Sequence, residues 1–193
     1  VFMIGACLSQ GRAQTKSAVS YKNPVVDIAM PDPTVIKAAD GYFYVYATES
    51  TRNVPIMKSK DLVEWTYCNT AFTNKTRPRF EPKAGIWAPD INYINGKYVL
   101  YYAMSVWGGE QTCGIGVATA NSPQGPFTDH GKMFRSNEIG VQNSIDPSLL
   151  QYEGRNYLVW GSFRGIYVIE LTTDGLSIMP GAKKKRIAGT AFE

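Results

Sequence analysis

Three stretches of the chain repeat one plan. D-P-T-V-I-K-A-A-D-G-Y-F-Y-V-Y-A begins at Asp32, D-I-N-Y-I-N-G-K-Y-V-L-Y-Y-A at Asp90, and D-P-S-L-L-Q-Y-E-G-R-N-Y-L-V-W-G at Asp146. Each opens on an aspartate, runs through apolar residues, turns at a glycine and returns as an aromatic-rich segment. The second starts 58 residues after the first, and the third 56 after the second. Asp40-Gly41 and Asn95-Gly96 are strong hairpin turns, because both central positions tolerate positive φ; Glu153-Gly154 is a weaker version. Such a period, built of hairpins with no helical pattern, predicts an all-β chain with one four-stranded propeller blade per repeat. Residues 55–59 read as a third strand and 62–67 as a fourth; 114–120 and 165–171 fill the third-strand slot in the next two repeats.

Propellers close with about four to eight blades, so three repeats predict an open part of a longer frame. A fourth repeat is expected to open near Glu193, 47 residues after Asp146. An open set of blades leaves unpaired edges, and the isolated 193-residue chain is expected to be inactive.

Composition narrows the class. Apolar residues make up 44% and charged residues 19%, which suits a folded chain and excludes disorder. The twelve Tyr and four Trp suit strands, and their rings also suit stacking on sugars. The formal charge of +4 is mild; its densest part, Lys183 to Arg186, reads as a solvated loop, and no nucleic-acid-binding signature accompanies it. A single His argues against a protein-only zinc site, and neither Cys68 nor Cys113 has metal-type spacing. Whether these two cysteines pair is open at the level of sequence. Oligomeric state is equally open.

Residues 1–22 read as a signal-peptide remnant and leader, and 23–193 as the propeller domain. Val1 to Leu8 is apolar, and Gly11-Arg12-Ala13 reads as a cleavage site before Gln14; Ile4-Gly5-Ala6-Cys7 is the competing lipoprotein reading, with Cys7 lipidated. The protein is thus expected to be exported, to the periplasm or medium or as a lipid-anchored form, with no membrane-spanning segment.

In a propeller the strands that line the channel converge, so Asp32, Asp90, Asp146 and Glu193 are expected to approach one pocket. Clustered carboxylates serve glycoside hydrolysis or Ca²⁺ binding; singly, an Asp-Pro more often caps its own strand.

The motifs P-D-P-T-V at 31–35, G-I-W-A-P-D at 85–90, S-I-D-P-S at 144–148 and A-F-E at 191–193 resemble glycoside hydrolase family 43, from about Asn23 to the end. G-P-F-T-D-H-G at 125–131 and W-G-S-F at 160–163 are most similar to its endo-α-1,5-arabinanase branch. The resemblance implies a five-bladed β-propeller, of which this chain covers blades one to three and the start of four. It implies an inverting hydrolase of α-L-arabinofuranosidic linkages in arabinan, the side chains of pectin. In it Asp32 is the general base, Glu193 the general acid, and Asp146 the carboxylate that holds the acid and raises its pKa. It also implies substrate contacts from Asp32, Trp87, Gly108, Asn143, Ser144, Ile145, Asp146, Ser162, Phe163 and Arg164. Asp90 ranks as structural, as does His130 in an expected turn.

Arg164 stands where many arabinanases have an aromatic, a departure expected to narrow the cleft or alter the preferred branch of substrate. A calcium or similar ion in the channel of such enzymes is held by water and a His of the last blade. No cofactor is required by this sequence, and no metal ligand is named on it. α-L-Arabinofuranosidase, β-xylosidase and a non-catalytic carbohydrate-binding propeller are the alternative readings.

Overall fold

The computed structural model describes residues 20–189; residues 1–19 of the expected leader, and Glu193, lie outside the described residues. Three antiparallel sheets of four strands follow one another along the chain. The first holds β1 (Thr34–Lys37), β2 (Phe43–Tyr46), β3 (Pro55–Ser59) and β4 (Thr66–Thr70). The second holds β5 (Gly85–Ile94), β6 (Lys97–Ser105), β7 (Gly114–Ala120) and β8 (Thr128–Arg135). After the single-turn helix α1 (Ser136–Ile139) come β9 (Ser148–Tyr152), β10 (Arg155–Ser162), β11 (Gly165–Leu171) and β12 (Lys185–Ala188). Within each sheet the strands pair in chain order. These are consecutive blades.

The first strand of the middle blade, β5, contacts the first strands of the other two, β1 and β9, and the three form the inner edge. One side chain fastens them. Asp90 on β5 accepts from Thr34 Oγ1 on β1 (3.5 Å) and from the Leu149 N–H on β9 (2.7 Å), and Asn92 Nδ2 donates to it at 2.7 Å. Burial pushes the Asp90 carboxyl above the ordinary carboxylate range, against the pull of these donors.

Alternation along β6 explains how one blade serves two seams. Tyr98, Leu100, Tyr102 and Met104 join Tyr44, Tyr46, Ile56 and Phe72 in the core between blades one and two. Val99 and Tyr101 face the other way, into the core with Leu158, Trp160, Ile169 and Leu171 of blade three. Gly116 is required here, since a Cβ would lie 2.3 Å from the Tyr102 hydroxyl oxygen. That hydroxyl donates to Asp129 Oδ1 (2.5 Å).

The expected third strands appear with the expected limits. The fourth strand of blade one does not: residues 62–65 form a turn, and β4 starts at Thr66. Local side chains win there. Ser59 Oγ accepts from the Leu62 N–H (2.9 Å), Asp61 Oδ1 accepts from the N–H groups of Val63 and Glu64 (2.9 Å each), and Leu62 sits at φ 68°. The turns differ from expectation too. Glu153-Gly154 matches Asn95-Gly96, with positive φ at both residues, whereas Asp40-Gly41 has it only at the glycine and sits in a wider loop. Half of the basic run is strand, not loop, because Lys185 and Arg186 pair with β11. His130 lies in β8, bonded to Thr119 Oγ1 (2.7 Å). Cys68 and Cys113 are both free thiols. Among the described residues, no helix is long and apolar enough to cross a membrane.

Candidate active site

Each blade enters its inner strand through the same backbone device. Asp32, Ala88 and Asp146 all have left-handed φ (49°, 38° and 55°), and each precedes a proline. A residue before proline is already restricted, and positive φ adds strain that persists only where the surroundings enforce it. Asp tolerates it better than Ala. In this register Ala88, not Asp90, is the partner of Asp32 and Asp146, and Asp90 aligns with Thr34 and Ser148. The device therefore presents two carboxylates and one methyl.

Asp32 and Asp146 line one cleft of about 550 Å³ with Trp87, Gly108, Asn143 and Ile145, and Ser162 and Phe163 close its blade-three side. Thr48, at the end of β2, holds the first carboxylate: its Oγ1 donates to Asp32 Oδ2 (2.6 Å) and accepts from the Ala88 N–H (2.7 Å). The strained bulge of blade two thereby fixes a side chain of blade one. Desolvation in the cleft pushes the Asp146 carboxyl above its ordinary range, and the nearby Asp32 charge pushes it further. No hydrogen bond to the Asp146 side chain offsets these two effects among the described residues.

The apolar wall is aromatic. Trp87 packs against Trp107 with ring centroids 5.5 Å apart, and Trp107 is 94% exposed. Gly85 lets the Trp87 indole fold back over the chain, since a Cβ would lie 2.4 Å from its Nε1. An exposed indole beside a tilted partner is a surface on which a sugar face can stack. Asn143, also at positive φ (56°), donates from Nδ2 to Ser162 Oγ (2.7 Å) and so joins the two runs 143–146 and 162–164.

Two expected contact residues sit elsewhere. Ser144 is fully buried; its hydroxyl donates to the Val141 carbonyl (2.8 Å) and accepts from Trp160 Nε1 (3.1 Å), so it supports the cleft from behind. Arg164 lies at the rim, over the Phe163 ring (5.0 Å) and 3.4 Å from Glu110. Conversely, Thr48, Trp107 and Glu110 line the cleft and were not expected. Trp107 carried a signal: an aromatic followed by two glycines in a loop. Thr48 and Glu110 carried none, since each meets its partners across blades. Among the described residues no group of three His, Cys, Asp or Glu side chains is arranged for a metal ion. The ion implied by the resemblance draws its protein ligand from the last blade, and no step below runs through it.

A family model for glycosyl hydrolases family 43 matches residues 21–193. The extracellular endo-alpha-(1->5)-L-arabinanase 1 of Bacillus subtilis is 38% identical over 140 residues, covering 68% of this chain and 43% of that protein. The arabinan endo-1,5-alpha-L-arabinosidase A of Aspergillus niger is 32% identical over 137 residues, covering 68% of this chain and 41% of that one. The chain thus spans less than half the length of these relatives. Among solved structures, the Cellvibrio cellulosa alpha-L-arabinanase superposes with a TM-score of 0.73 at 28% identity, covering 84% of this chain and 54% of that one. Native Bacillus subtilis arabinanase gives 0.69 at 32% identity, over 81% and 56%. The three sheets are blades of the five-bladed propeller expected from the motifs. On the family match and the fold together, this chain belongs to the glycosyl hydrolases of family 43.

Proposed function

We propose that the protein carrying this chain is an exported glycosidase that cleaves α-L-arabinofuranosidic linkages in arabinan with inversion. The observation that carries this reading is the pairing of Asp32 and Asp146 on the same strained device, close enough for one charge to raise the other carboxyl. Asp32 is the general base: oriented by Thr48, it takes a proton from the water that attacks the anomeric carbon. Glu193 is the general acid that protonates the leaving oxygen, and Asp146 holds it and favours its neutral form. Inversion needs base and acid about 6.5–9.5 Å apart, with water between base and sugar, and carboxylates on different blades suit that gap. Trp87 and Trp107 offer the stacking surface. The names of the relatives support arabinan as the substrate, and one solved relative is an arabinanase complexed with arabinohexaose. Export is supported by the expected leader and by the extracellular relative.

The test uses the protein that carries this chain. Asp32→Ala and Glu193→Ala are each expected to lower kcat on linear arabinan by about 10²–10⁴-fold, with the β-anomer as first product by NMR in the parent. Near-parental turnover in either variant would falsify the mechanism. Release from xylan but not arabinan would move the substrate to the xylosidase branch.

A further inference from the structure

A second pocket, of about 350 Å³, is lined by Arg52, Arg77, Arg79, Glu81, Lys83 and Met104. Its charges divide into two groups. Arg77 is committed to the buried Glu49 carboxylate and to the Ala84 carbonyl (2.8 Å), and Glu81 is committed to Arg135 and the Thr112 hydroxyl. Those pairs neutralise themselves and build the floor. Arg52, Arg79 and Lys83 remain exposed, and among the described residues no carboxylate pairs with them.

The two exposed guanidinium groups are held in place rather than loose. Asn74 accepts from Arg52 Nε through its side-chain oxygen (3.1 Å) and from Arg79 Nη2 through its backbone oxygen (2.8 Å). A second donor, Asn53 Nδ2, fixes the Asn74 amide at 3.1 Å. Binding Arg52 through Nε leaves its two terminal nitrogens to face a ligand as a fork, the geometry that matches a carboxylate. Proline at 78 and 82 stiffens the loop that carries Arg79 and Lys83.

The pocket and the cleft have no lining residue in common, but their supports are neighbours in the chain. Glu49, which anchors Arg77, follows Thr48, which holds Asp32. Thr112, which donates to Glu81, lies two residues from Glu110 of the cleft wall. A volume at the small end of the usual range of about 300–1,000 Å³ fits one sugar residue rather than an extended polymer, and three cations do not form the stripe that a nucleic-acid backbone needs. We propose that this pocket binds the carboxylate of an acidic sugar, a uronate, next to the neutral saccharide in the cleft. The choice of a sugar as carrier of the carboxylate rests on the function proposed above; the anion site itself does not.

The probe is trigalacturonate, titrated by calorimetry into the protein carrying this chain, with arabinotriose and inorganic phosphate as the other arms. Trigalacturonate is expected to bind, more weakly as salt rises. The double variant Arg52→Gln/Arg79→Gln is expected to raise its Kd about tenfold or more, and to leave the affinity for arabinohexaose unchanged. Equal binding of trigalacturonate to parent and double variant overturns the proposal. So does inorganic phosphate binding as tightly as trigalacturonate, or an affinity for arabinotriose that falls in the double variant as much as that for trigalacturonate. Arginine-dependent trigalacturonate binding by a protein that cleaves no arabinan would leave this site standing while removing the proposed function.

Discussion

Strands β6 and β10 hold the same place in successive blades, second from the axis, and differ in what covers them. From Tyr98 to Ser105 every residue of β6 is buried. Along β10 burial alternates, with Asn156, Leu158 and Trp160 inside and Tyr157 and Val159 half-exposed. Both strands are apolar on both faces, so residue type alone does not say which face is packed. The neighbour decides: blades one and three flank β6, whereas among the described residues only blade two packs against β10. The ion pairs follow the same division. Glu49–Arg77, at the seam of blades one and two, has side-chain exposures of 9% and 6%; Glu110–Arg164, on the blade-three rim, has 30% and 39%.

The comparison breaks first, if it breaks, at the buried pair. Burial works to raise the Glu49 carboxyl, but Arg77 and the N–H groups of Asn53 and Ile86 prevail and hold it below its ordinary range. A depressed carboxylate contributes stability above its unfolded pKa and loses it as pH falls through the folded one. Glu49→Gln is expected to cost about 3–5 kcal/mol near neutrality, and the gap from the parent in urea melts should close under acid conditions. A gap that does not depend on pH would show that the charge is not what stabilises the seam.

The two strands give the next effect. Leu100→Ala in β6 should cost about 2–5 kcal/mol, and Val159→Ala in β10 less than about 1 kcal/mol, read as shifts of the urea midpoint at constant slope. Equal losses would mean that the outer face of β10 is covered after all.

The smallest effect has the opposite sign. The Asp146 carboxyl is raised, so its ionised form is penalised in the folded state; the penalty is absent at low pH and grows as pH rises from the unfolded to the folded pKa. Asp146→Asn, which keeps a residue tolerant of positive φ, is therefore expected to raise Tm slightly at neutral pH and not in acid. A lower Tm at neutral pH would contradict the like-charge reading of the site.

Much of this was legible in the chain. The hairpins and the third strands follow from local spacing, because a glycine turn acts within a few residues; the convergence of Asp32 with Asp146 follows from the repeat that the hairpins reveal. The misplacement of Asp90 shows the limit. Its letter matches Asp32 and Asp146, but backbone position, not residue type, defines the repeat, and Ala88-Pro89 holds the equivalent place. The start of β4 was hidden by two side chains, Ser59 and Asp61, that capture backbone N–H groups. Thr48 was missed, and the burial of Ser144 behind the cleft was not foreseen, for a shared reason: the partners that set their places, Ala88 and Trp160, are distant in sequence.

The Asp90 carboxylate also bears on the order in which the chain assembles. Its partner on β1 lies 56 residues before it and its partner on β9 lies 59 residues after it. Closing such long loops is slow compared with forming a local hairpin. A hairpin of β5 and β6 alone leaves that carboxylate with Asn92 and solvent. Docking blade one onto it brings burial with one weak donor, and only the arrival of β9 supplies the short bond from Leu149. Asp90 is thus a buried carboxylate that the third blade relieves, and it ties the first and third blades together although, among the described residues, their sheets share no seam.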